Sequence, residues 1–251
     1  MTVDMGSNFV VLTTNRSGST WVMSTLSGIK GVQSQGELFL PRPRVSDRRW
    51  DSDFAYTRYI ETKPNGLKIR PFSVVSYLNT LYGLPGIVGF KLMYAQLGSY
   101  PEILAYFIRH RIRVVHLVRQ NHLDVLVSYA VKAHIGRAHV LSGQATPEEI
   151  RINLDAGSLV RRMARLQKKQ NLARILLTWS KLPHMEIAYE DLLRDPAQFS
   201  QILKFLSIDP QEGSIGSTVV KIRKGGHRDV IRNYDEVKNV LAGSQFSSLI
   251  D

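Results

Sequence analysis

The sequence contains no cysteine among its 251 residues. Disulfide bonds, a thiolate nucleophile and cysteine-ligated zinc are therefore excluded. It also lacks any uncharged apolar run that approaches the ~20 residues needed to cross a bilayer. Residues 1–8 are too short and too polar a stretch for a secretory signal. These absences favour a cytoplasmic protein without a membrane span.

Acidic residues are scarce relative to basic ones: 33 Lys and Arg against 21 Asp and Glu give a formal net charge of +12. Such an excess attracts anionic ligands. A solvated basic surface and a nucleic-acid-binding module are two general interpretations of this charge. However, the basic residues are scattered, and zinc-finger, RNP and basic-zipper signatures are absent. A polyanionic nucleotide or an acidic acceptor fits at least as well.

Short apolar runs alternate with longer helix-like segments, which is typical of βαβ units around a parallel sheet. The length suits one α/β domain with a single core, and no linker divides residues 1–251. The predicted strands are residues 9–13, 86–92, 113–118 and 185–189. The predicted helices are residues 20–26, 101–109, 123–133, 196–206 and 234–241, with a long one from 146, through a break at Gly157, to about 181.

Two further segments show no such periodicity. Residues 215–229 are rich in glycine and basic residues, and they predict a loop. Residues 41–66 have mixed charge and no clear period. They predict either an acceptor-binding excursion or a plain surface connection.

The most informative segment follows the first strand: Thr13-Thr14-Asn15-Arg16-Ser17-Gly18-Ser19-Thr20-Trp21. A strand, a turn of small residues and a helix start place free backbone N–H groups at the positive end of a helix dipole. Arg16 adds a permanently charged, forked donor. The loop GxxxxGK(S/T) is absent because no lysine lies between Gly18 and the helix, which argues against a nucleotide kinase. By itself the turn leaves phosphate binding and a purely structural role open.

A second anion site is predicted where Arg119 ends an apolar strand and Ser128 lies on the helix that follows. Because most of a helix separates the two residues, both side chains can converge on one anion at the same strand edge. In isolation this spacing is weak evidence, since Ser128 could be an ordinary helix serine.

Together the two segments resemble the sulfotransferase superfamily, whose donor is 3'-phosphoadenosine 5'-phosphosulfate (PAPS). Residues 16–20 (RSGST) are similar to the 5'-phosphosulfate loop of the carbohydrate branch, and Trp21 is similar to a tryptophan of the small-molecule branch. Residues 117–129 (LVRQNHLDVLVSY) resemble the 3'-phosphate motif in a bacterial form. The resemblance implies one domain with a P-loop-kinase-like sulfotransferase fold, in which helices flank a central parallel sheet. It also implies adenosine 3',5'-bisphosphate (PAP) as product and no metal.

The resemblance also implies roles for individual residues. The donor's 5'-phosphate and sulfate are assigned to Arg16, Ser17, Gly18, Ser19 and Thr20. Arg16 is also predicted to act in catalysis by stabilising the charge on the leaving phosphate. Binding of the 3'-phosphate is assigned to Arg119 and Ser128. The basic loop at 221–228 would close over that phosphate, which assigns donor binding to Arg223, Lys224 and Gly225 as well.

Two aromatic residues and one histidine complete the resemblance. Trp21 is predicted either to stack on adenine or to pack in the core. Tyr189, in the segment IAYEDLLRDP at residues 187–196, is predicted either to approach adenine or to close a strand and cap a helix. His227 departs from the family pattern, because related sequences often have an aromatic residue there.

Glu37, in the segment Gly36-Glu37-Leu38-Phe39, is the predicted general base. A glutamate in a similar setting acts as base in bacterial and carbohydrate sulfotransferases. The alternative is a structural carboxylate paired with an arginine. Lys91 is predicted to help neutralise the sulfate or simply to end its strand.

Histidine is the rival base, as in the small-molecule branch, but no histidine stands next to the matching strand at residues 89–92. His116 is expected in the core. His122 and His134 are expected on the surface.

The leading hypothesis is a cytoplasmic sulfotransferase that acts on a hydroxyl of a carbohydrate or glycolipid acceptor. A polyketide or other natural-product hydroxyl is the close alternative. A nucleic-acid-binding module is the alternative from another class, although no nucleic-acid partner is expected. The sequence leaves homodimer formation open.

Overall fold

The computed structural model describes residues 7–40, 56–62, 69–135, 140–141, 150–209, 219–220 and 225–250. The strands within these ranges are β1 (Phe9–Thr13), β2 (Val32–Glu37), β3 (Ile87–Met93), β4 (Arg113–Val118), β5 (Val140–Leu141), β6 (His184–Ala188) and β7 (Val219–Val220). Five of them form one parallel sheet in the order β2-β3-β1-β4-β6. Strands β5 and β7 form a separate antiparallel pair. The predicted α/β fold with a central parallel sheet is confirmed.

The described helices are α1 (Ser19–Ser27), α2 (Phe72–Tyr82), α3 (Tyr94–Ser99), α4 (Glu102–His110), α5 (His122–Ile135), α6 (Ala156–Ser180), α7 (Tyr189–Arg194), α8 (Phe199–Leu206), α9 (His227–Val230) and α10 (Tyr234–Ala242). Short 3-10 helices lie at Tyr59–Thr62, Pro196–Gln198 and Ser247–Leu249. No described helix is both long enough and apolar enough to cross a membrane.

Helices cover both faces of the sheet. Apolar side chains of α2, α4 and the second half of α6 form one core with one face. Those of α1, α7 and α8 form a second core with the other face. Helices α5 and α10 pack with the first half of α6 in a third cluster. Strand β1 is buried along its whole length, because a strand covered by helices on both faces must be apolar throughout.

The direction in which strands are added to the sheet changes between β1 and β4. The connection after β1 leads to β2 at one edge of the sheet, and the connection after β4 leads to β6 at the opposite edge. Such a switch point leaves a crevice at the carboxyl ends of the strands, where ligands bind in open α/β sheets. Both predicted anion segments follow these two strands, so the fold places them side by side.

Strand β2 is not among the predicted strands, because its sequence VQSQGE is mostly polar. It lies at the edge of the sheet, where a strand has only one neighbour and less apolar burial. The register with β3 shifts between Gln35 and Glu37, so that Gln35 pairs with Phe90 and Glu37 pairs with Lys91. Gly36 is thus the extra residue of a β-bulge, which bends the strand and re-aims the next side chain.

The prediction of one helical stretch from 146 to 181 is wrong over residues 150–155; its start at Thr146 lies outside the described residues. Ile152 N donates to the Val230 carbonyl at 2.8 Å, and Arg232 N donates to the Ile152 carbonyl at 2.8 Å. This tertiary pairing holds the segment extended. Helix α6 begins at Ala156, where Asp155 accepts a hydrogen bond from Ser158 N at 3.3 Å. No break occurs at Gly157.

Two other expectations need correction. The segment 215–229 is not all loop, since β7 and the start of α9 fall within it, while 210–218 and 221–224 lie outside the described residues. Tyr189 does not end a strand: β6 stops at Ala188, and Tyr189 begins α7. Of the segment 41–66, the structure describes 56–62.

Candidate active site

The loop between β1 and α1 is built around Gly18, which precedes the helix with a left-handed φ of 83°. A Cβ atom at this position would overlap the ring of Tyr189, so glycine is required both for the backbone angle and for the close approach. The Gly18 carbonyl accepts from Trp21 N at 3.0 Å. The N–H groups of Ser19 and Thr20 belong to the first turn of α1, at the positive end of the helix dipole. They are the predicted anion donors.

The hydroxyls of Thr13 and Ser17 fasten this loop to the neighbouring strand. Thr13 Oγ1 lies 2.6 Å from Ser17 Oγ and 2.6 Å from the Leu117 carbonyl. Because a carbonyl can only accept, the single proton of Thr13 goes to Leu117, and Ser17 donates to Thr13. The Ser17 hydroxyl is therefore engaged inside the protein, and any contact of Ser17 with an anion would come from its main chain.

Arg16 and Arg119 lie together at the switch point. Arg119 Nη1 donates to the Arg16 carbonyl at 3.1 Å, and Arg16 Nε donates to Ser128 Oγ at 2.8 Å. The sequence motifs assigned Arg16 to one end of a nucleotide and Ser128 to the other, whereas the structure joins them directly. Burial, followed by the charge of Arg119, lowers the pKa of Arg16. Two crowded, partly desolvated cations favour an anion between them.

Arg119 is 8% exposed and is held by two carboxylates. Its Nη2 lies 2.7 Å from Asp124 Oδ2, and its Nε lies 4.0 Å from Glu190 Oε1. Nε is buried and has no hydrogen-bond partner among the described residues. The Tyr189 ring lies 4.9 Å from the guanidinium carbon. Since buried donors are almost always satisfied, this N–H marks a place for an acceptor such as a phosphate oxygen.

Asp124 connects Arg119 to the C-terminal part of the chain. Its second oxygen, Oδ1, lies 3.1 Å from His227 Nε2. Asn121 Oδ1 accepts from Asp124 N at 3.0 Å at the start of α5, so both the backbone and the side chain of Asp124 are fixed. His227, which was predicted to lie within the basic loop at 221–228, is instead the first residue of α9. Gly225 of that loop has a positive φ of 95°; Arg223 and Lys224 lie outside the described residues.

The predicted base Glu37 lies beside Lys91, as the bulge in β2 requires. Lys91 Nζ is 3.3 Å from Glu37 Oε1 and 3.4 Å from Thr20 Oγ1. Gln96, a buried residue of α3, donates from Nε2 to Glu37 Oε2 at 3.1 Å. The other amide atom of Gln96 accepts from Met93 N at 3.0 Å, which fixes the amide. Among the residues that the structure describes, the partners of Glu37 are thus a lysine and a glutamine, whereas the sequence suggested an arginine.

Trp21 and Tyr189 meet edge to face, with ring centroids 6.3 Å apart and planes at 84°. Trp21 also lies 6.3 Å from Phe199 of α8. Burial raises the pKa of Tyr189, which keeps its hydroxyl protonated. The Tyr189 ring lies against Gly18 of the loop between β1 and α1. Both rings pack in the core cluster formed with α1, α7 and α8, and contact with adenine stays a prediction.

The histidines have other surroundings. His116 is buried as expected, with Nε2 2.7 Å from Tyr94 Oη and Nδ1 2.9 Å from Glu186 Oε2. Burial lowers the pKa of His116 to about 4. His122 is not on the surface: it is buried, with Nε2 3.1 Å from Gln170 Oε1. His134 is exposed as expected.

Three residues of the site were not predicted: Gln96, Asp124 and Glu190. Asp124 lies in the segment 117–129 and Glu190 in the segment 187–196, both of which carried the family resemblance. Their positions in these motifs could have marked them as site residues. Gln96 lies outside every motif and is recognised only from its contacts. Within the ranges that the structure describes, no group of three or more His, Asp or Glu side chains could hold a metal ion.

Comparison with known proteins identifies related chains. A family model described as Stf0 sulphotransferase matches residues 8–236. The crystal structure of mouse sulfotransferase SULT7A1 complexed with PAP is 13% identical, with a TM-score of 0.45, and the match covers 83% of this chain and 60% of that chain. No curated protein matches the chain in sequence.

Two other solved structures are similar. The sulfotransferase domain from the curacin biosynthetic pathway is 17% identical, with a TM-score of 0.48, over 97% of this chain and 83% of that chain. A sulfotransferase from Alicyclobacillus acidocaldarius is 15% identical, with a TM-score of 0.48, over 97% of this chain and 95% of that chain. Because these sequence identities are low, the family of the chain is identified by the family model and not by any single solved structure.

Proposed function

The chain belongs to the Stf0 sulphotransferase family, and from this we propose that it transfers the sulfuryl group of PAPS to an acceptor hydroxyl and releases PAP. The observation that carries the proposal is the position of Lys91. Its ammonium lies 3.3 Å from Glu37 and 3.4 Å from the Thr20 hydroxyl. One cation therefore links a carboxylate that can accept a proton to a helix start that can hold a phosphosulfate.

Donor binding is proposed at two adjoining places in one domain, residues 1–251. The main chain around Gly18, Ser19 and Thr20 is proposed to hold the 5'-phosphosulfate. Arg119 and Ser128 are proposed to hold the 3'-phosphate. The support is the buried Nε–H of Arg119, which has no hydrogen-bond acceptor in the described part of the chain. Because Arg16 Nε donates to Ser128, a contact between Arg16 and the transferring group would come from its Nη groups.

The proposed reaction is an in-line displacement with Glu37 as general base. The Glu37 carboxylate accepts the proton of the acceptor hydroxyl while the oxygen of that hydroxyl forms a bond to sulfur. The bond from sulfur to the 5'-phosphate oxygen breaks, and PAP leaves with the electron pair. Lys91 and the N-terminus of α1 would stabilise the negative charge that develops on the leaving phosphate. Gln96 would hold Glu37 Oε2, so that the carboxylate keeps one orientation.

The proposed acceptor is a hydroxyl of a carbohydrate or glycolipid. The support is the arginine of the phosphate loop and the Gly-Glu-Leu-Phe segment around Glu37, both of which are similar to the carbohydrate branch. A polyketide or other natural-product hydroxyl is the second candidate. A panel of sugars, glycolipids and alcohols, assayed with donor carrying radiolabelled sulfate, decides between them: label in an alcohol or polyketide but in no sugar would contradict the first.

PAP is expected to stabilise the folded protein strongly. At PAP concentrations of about 100 times the Kd, the free energy of unfolding should rise by about 2.7 kcal/mol. For a chain of this size that corresponds to a rise in Tm of roughly 5–10 °C. Thermal unfolding with and without PAP measures it, with adenosine 5'-phosphate as the control that lacks the 3'-phosphate.

The same measurement separates the enzyme from a nucleic-acid-binding module. No Tm change at millimolar PAP would count against the proposed donor. Binding to arbitrary duplex DNA that falls steeply with salt and is unaffected by PAP would favour the nucleic-acid alternative.

Replacing His227 with phenylalanine is expected to raise the Kd for PAP about tenfold and to leave the Kd for adenosine 5'-phosphate unchanged. The ring remains, but Asp124 loses one of its partners and holds Arg119 less firmly. Isothermal titration with both nucleotides measures the difference.

The conservative variant His227→Gln keeps a donor near Asp124 and should recover most of the PAP affinity. If His227→Phe weakens both nucleotides equally, His227 only supports the fold and does not position Arg119.

A further inference from the structure

Helix α6 has an exposed apolar stripe that the proposed reaction does not use. Leu172 is 54% exposed, Ile175 65% and Trp179 76%. Their spacing of three and four residues puts them on one side of the helix. The opposite side is buried, with Ala173 and Leu177 in the core beneath the sheet. Helix α6 therefore has a second apolar side, which faces outward.

The outward side of α6 is strongly basic before the stripe begins. Arg161, Arg165 and Lys168 precede Leu172 at helical spacing on this side and are exposed, with Lys169 beside them. The sequence of Ala156–Ser180 contains no acidic residue. The cations and the apolar stripe thus form one continuous surface, defined here as the α6 face: Arg161, Arg165, Lys168, Lys169, Leu172, Ile175 and Trp179.

We propose that the α6 face docks on a membrane surface that contains anionic lipids. The apolar stripe would enter the interface between headgroups and acyl chains, while the cations contact the headgroups. Basic residues next to exposed aliphatic and aromatic residues on one helix side are the features of interfacial helices. The net charge of +12 adds a long-range attraction to such a surface. The contact is peripheral and requires no spanning helix.

Charge favours lipid over a second copy of this chain as the occupant. In a symmetric dimer two acid-free helix sides would face each other, and like charges repel. An anionic bilayer instead offers opposite charge over an area as long as the helix. Docking of this kind would present the enzyme to acceptors anchored in the same membrane.

Cosedimentation with vesicles tests the proposal. One set of vesicles contains phosphatidylcholine alone, and the other contains equal parts of phosphatidylcholine and phosphatidylglycerol. The wild-type protein should bind the second set, less so at high salt, and bind the first set weakly. The variant Lys168→Gln/Lys169→Gln should lose about 25-fold in vesicle affinity, since each cation near an anionic surface contributes about fivefold.

A matched control variant has the same net charge as Lys168→Gln/Lys169→Gln. Lys30→Gln/Lys204→Gln also removes two exposed lysines, but from the side of the sheet covered by α1 and α8. It should bind anionic vesicles nearly as well as the wild type. Trp179→Ser should weaken binding, and brominated lipids should quench the wild-type fluorescence more than that of Trp179→Ser. All variants should keep the Tm rise with PAP, which separates this inference from the proposed function.

Three results would overturn the docking proposal. The first is absence of binding to anionic vesicles. The second is equal loss of binding in the two double-lysine variants, which would indicate attraction by net charge alone. The third is a wild-type dimer in sedimentation velocity that dissociates in Trp179→Ser, which would assign the stripe to self-association.

Discussion

Replacing Arg119 with alanine is expected to weaken PAP binding about 100-fold while changing the affinity for adenosine 5'-phosphate by less than about threefold. Charge-assisted hydrogen bonds from one guanidinium to a phosphate contribute about 1.5–3 kcal/mol. Removal of Arg119 also deprives Asp124 of its 2.7 Å partner. That carboxylate would then repel the 3'-phosphate, which adds to the loss. Isothermal titration with both nucleotides gives the ratio.

The design of this experiment separates binding from folding. Arg119→Lys keeps the charge but not the fork, so it should retain the fold and recover only part of the PAP affinity. Arg70→Ala is the control. Arg70 is exposed, pairs with Glu102 and belongs to neither anion segment, so its removal should leave both affinities unchanged. Equal loss of PAP and adenosine 5'-phosphate in Arg119→Ala would show that Arg119 does not recognise the 3'-phosphate.

Replacing Glu37 with glutamine is expected to lower kcat by about 10²–10⁴-fold and to leave PAP affinity unchanged. The amide has nearly the shape of the carboxylate and can still bond to Gln96, but it cannot accept the acceptor's proton. The substitution keeps Lys91, Thr20 and Arg119, so the groups proposed to hold the two phosphates of PAP are all retained. Steady-state rates at saturating donor, together with PAP titration, measure both quantities.

Glu236→Gln, an exposed position on α10, serves as the control for loss of one carboxylate and should keep full turnover. If Glu37→Gln retains turnover, another group takes the proton. If it loses PAP binding to the same extent as turnover, Glu37 acts by holding Lys91 and the phosphate loop in place.

Much of the sheet could be predicted because its central strands are buried on both faces. Strands β1 and β4 are mostly apolar runs with few polar residues, a pattern that the local sequence shows. Strand β2 could not be predicted, since an edge strand with polar residues looks like a loop. The start of α6 was misplaced because residues 150–155 look helical locally but pair with the segment near Ile231. Long-range pairing of this kind leaves no local signal.

The candidate site shows the same division between local and long-range information. The loop around Gly18 and the position of Arg119 follow from residues that are adjacent in sequence. The contact between Arg16 and Ser128 joins residues 112 positions apart, and Gln96 reaches Glu37 across 59 positions. Such pairs depend on the strand order, so spacing along the chain identifies the participants but not their partners.

The bulge at Gly36 makes the orientation of the Glu37 carboxylate depend on the length of the strand as well as on residue type. Residues two apart in a regular strand share a face, so Glu37 would lie on the same side as Gln35 if the ladder were uninterrupted. The extra residue reverses this parity and sets Glu37 opposite Lys91. Insertion of one residue between Gly36 and Glu37 would preserve the glutamate, the lysine and the loop, yet turn the carboxylate to the other side of the sheet. Loss of Gly36 would instead give a regular ladder with the glutamate still opposite Lys91. Within this family, then, insertions and deletions in the second strand deserve the same scrutiny as substitutions when active members are told from inactive ones.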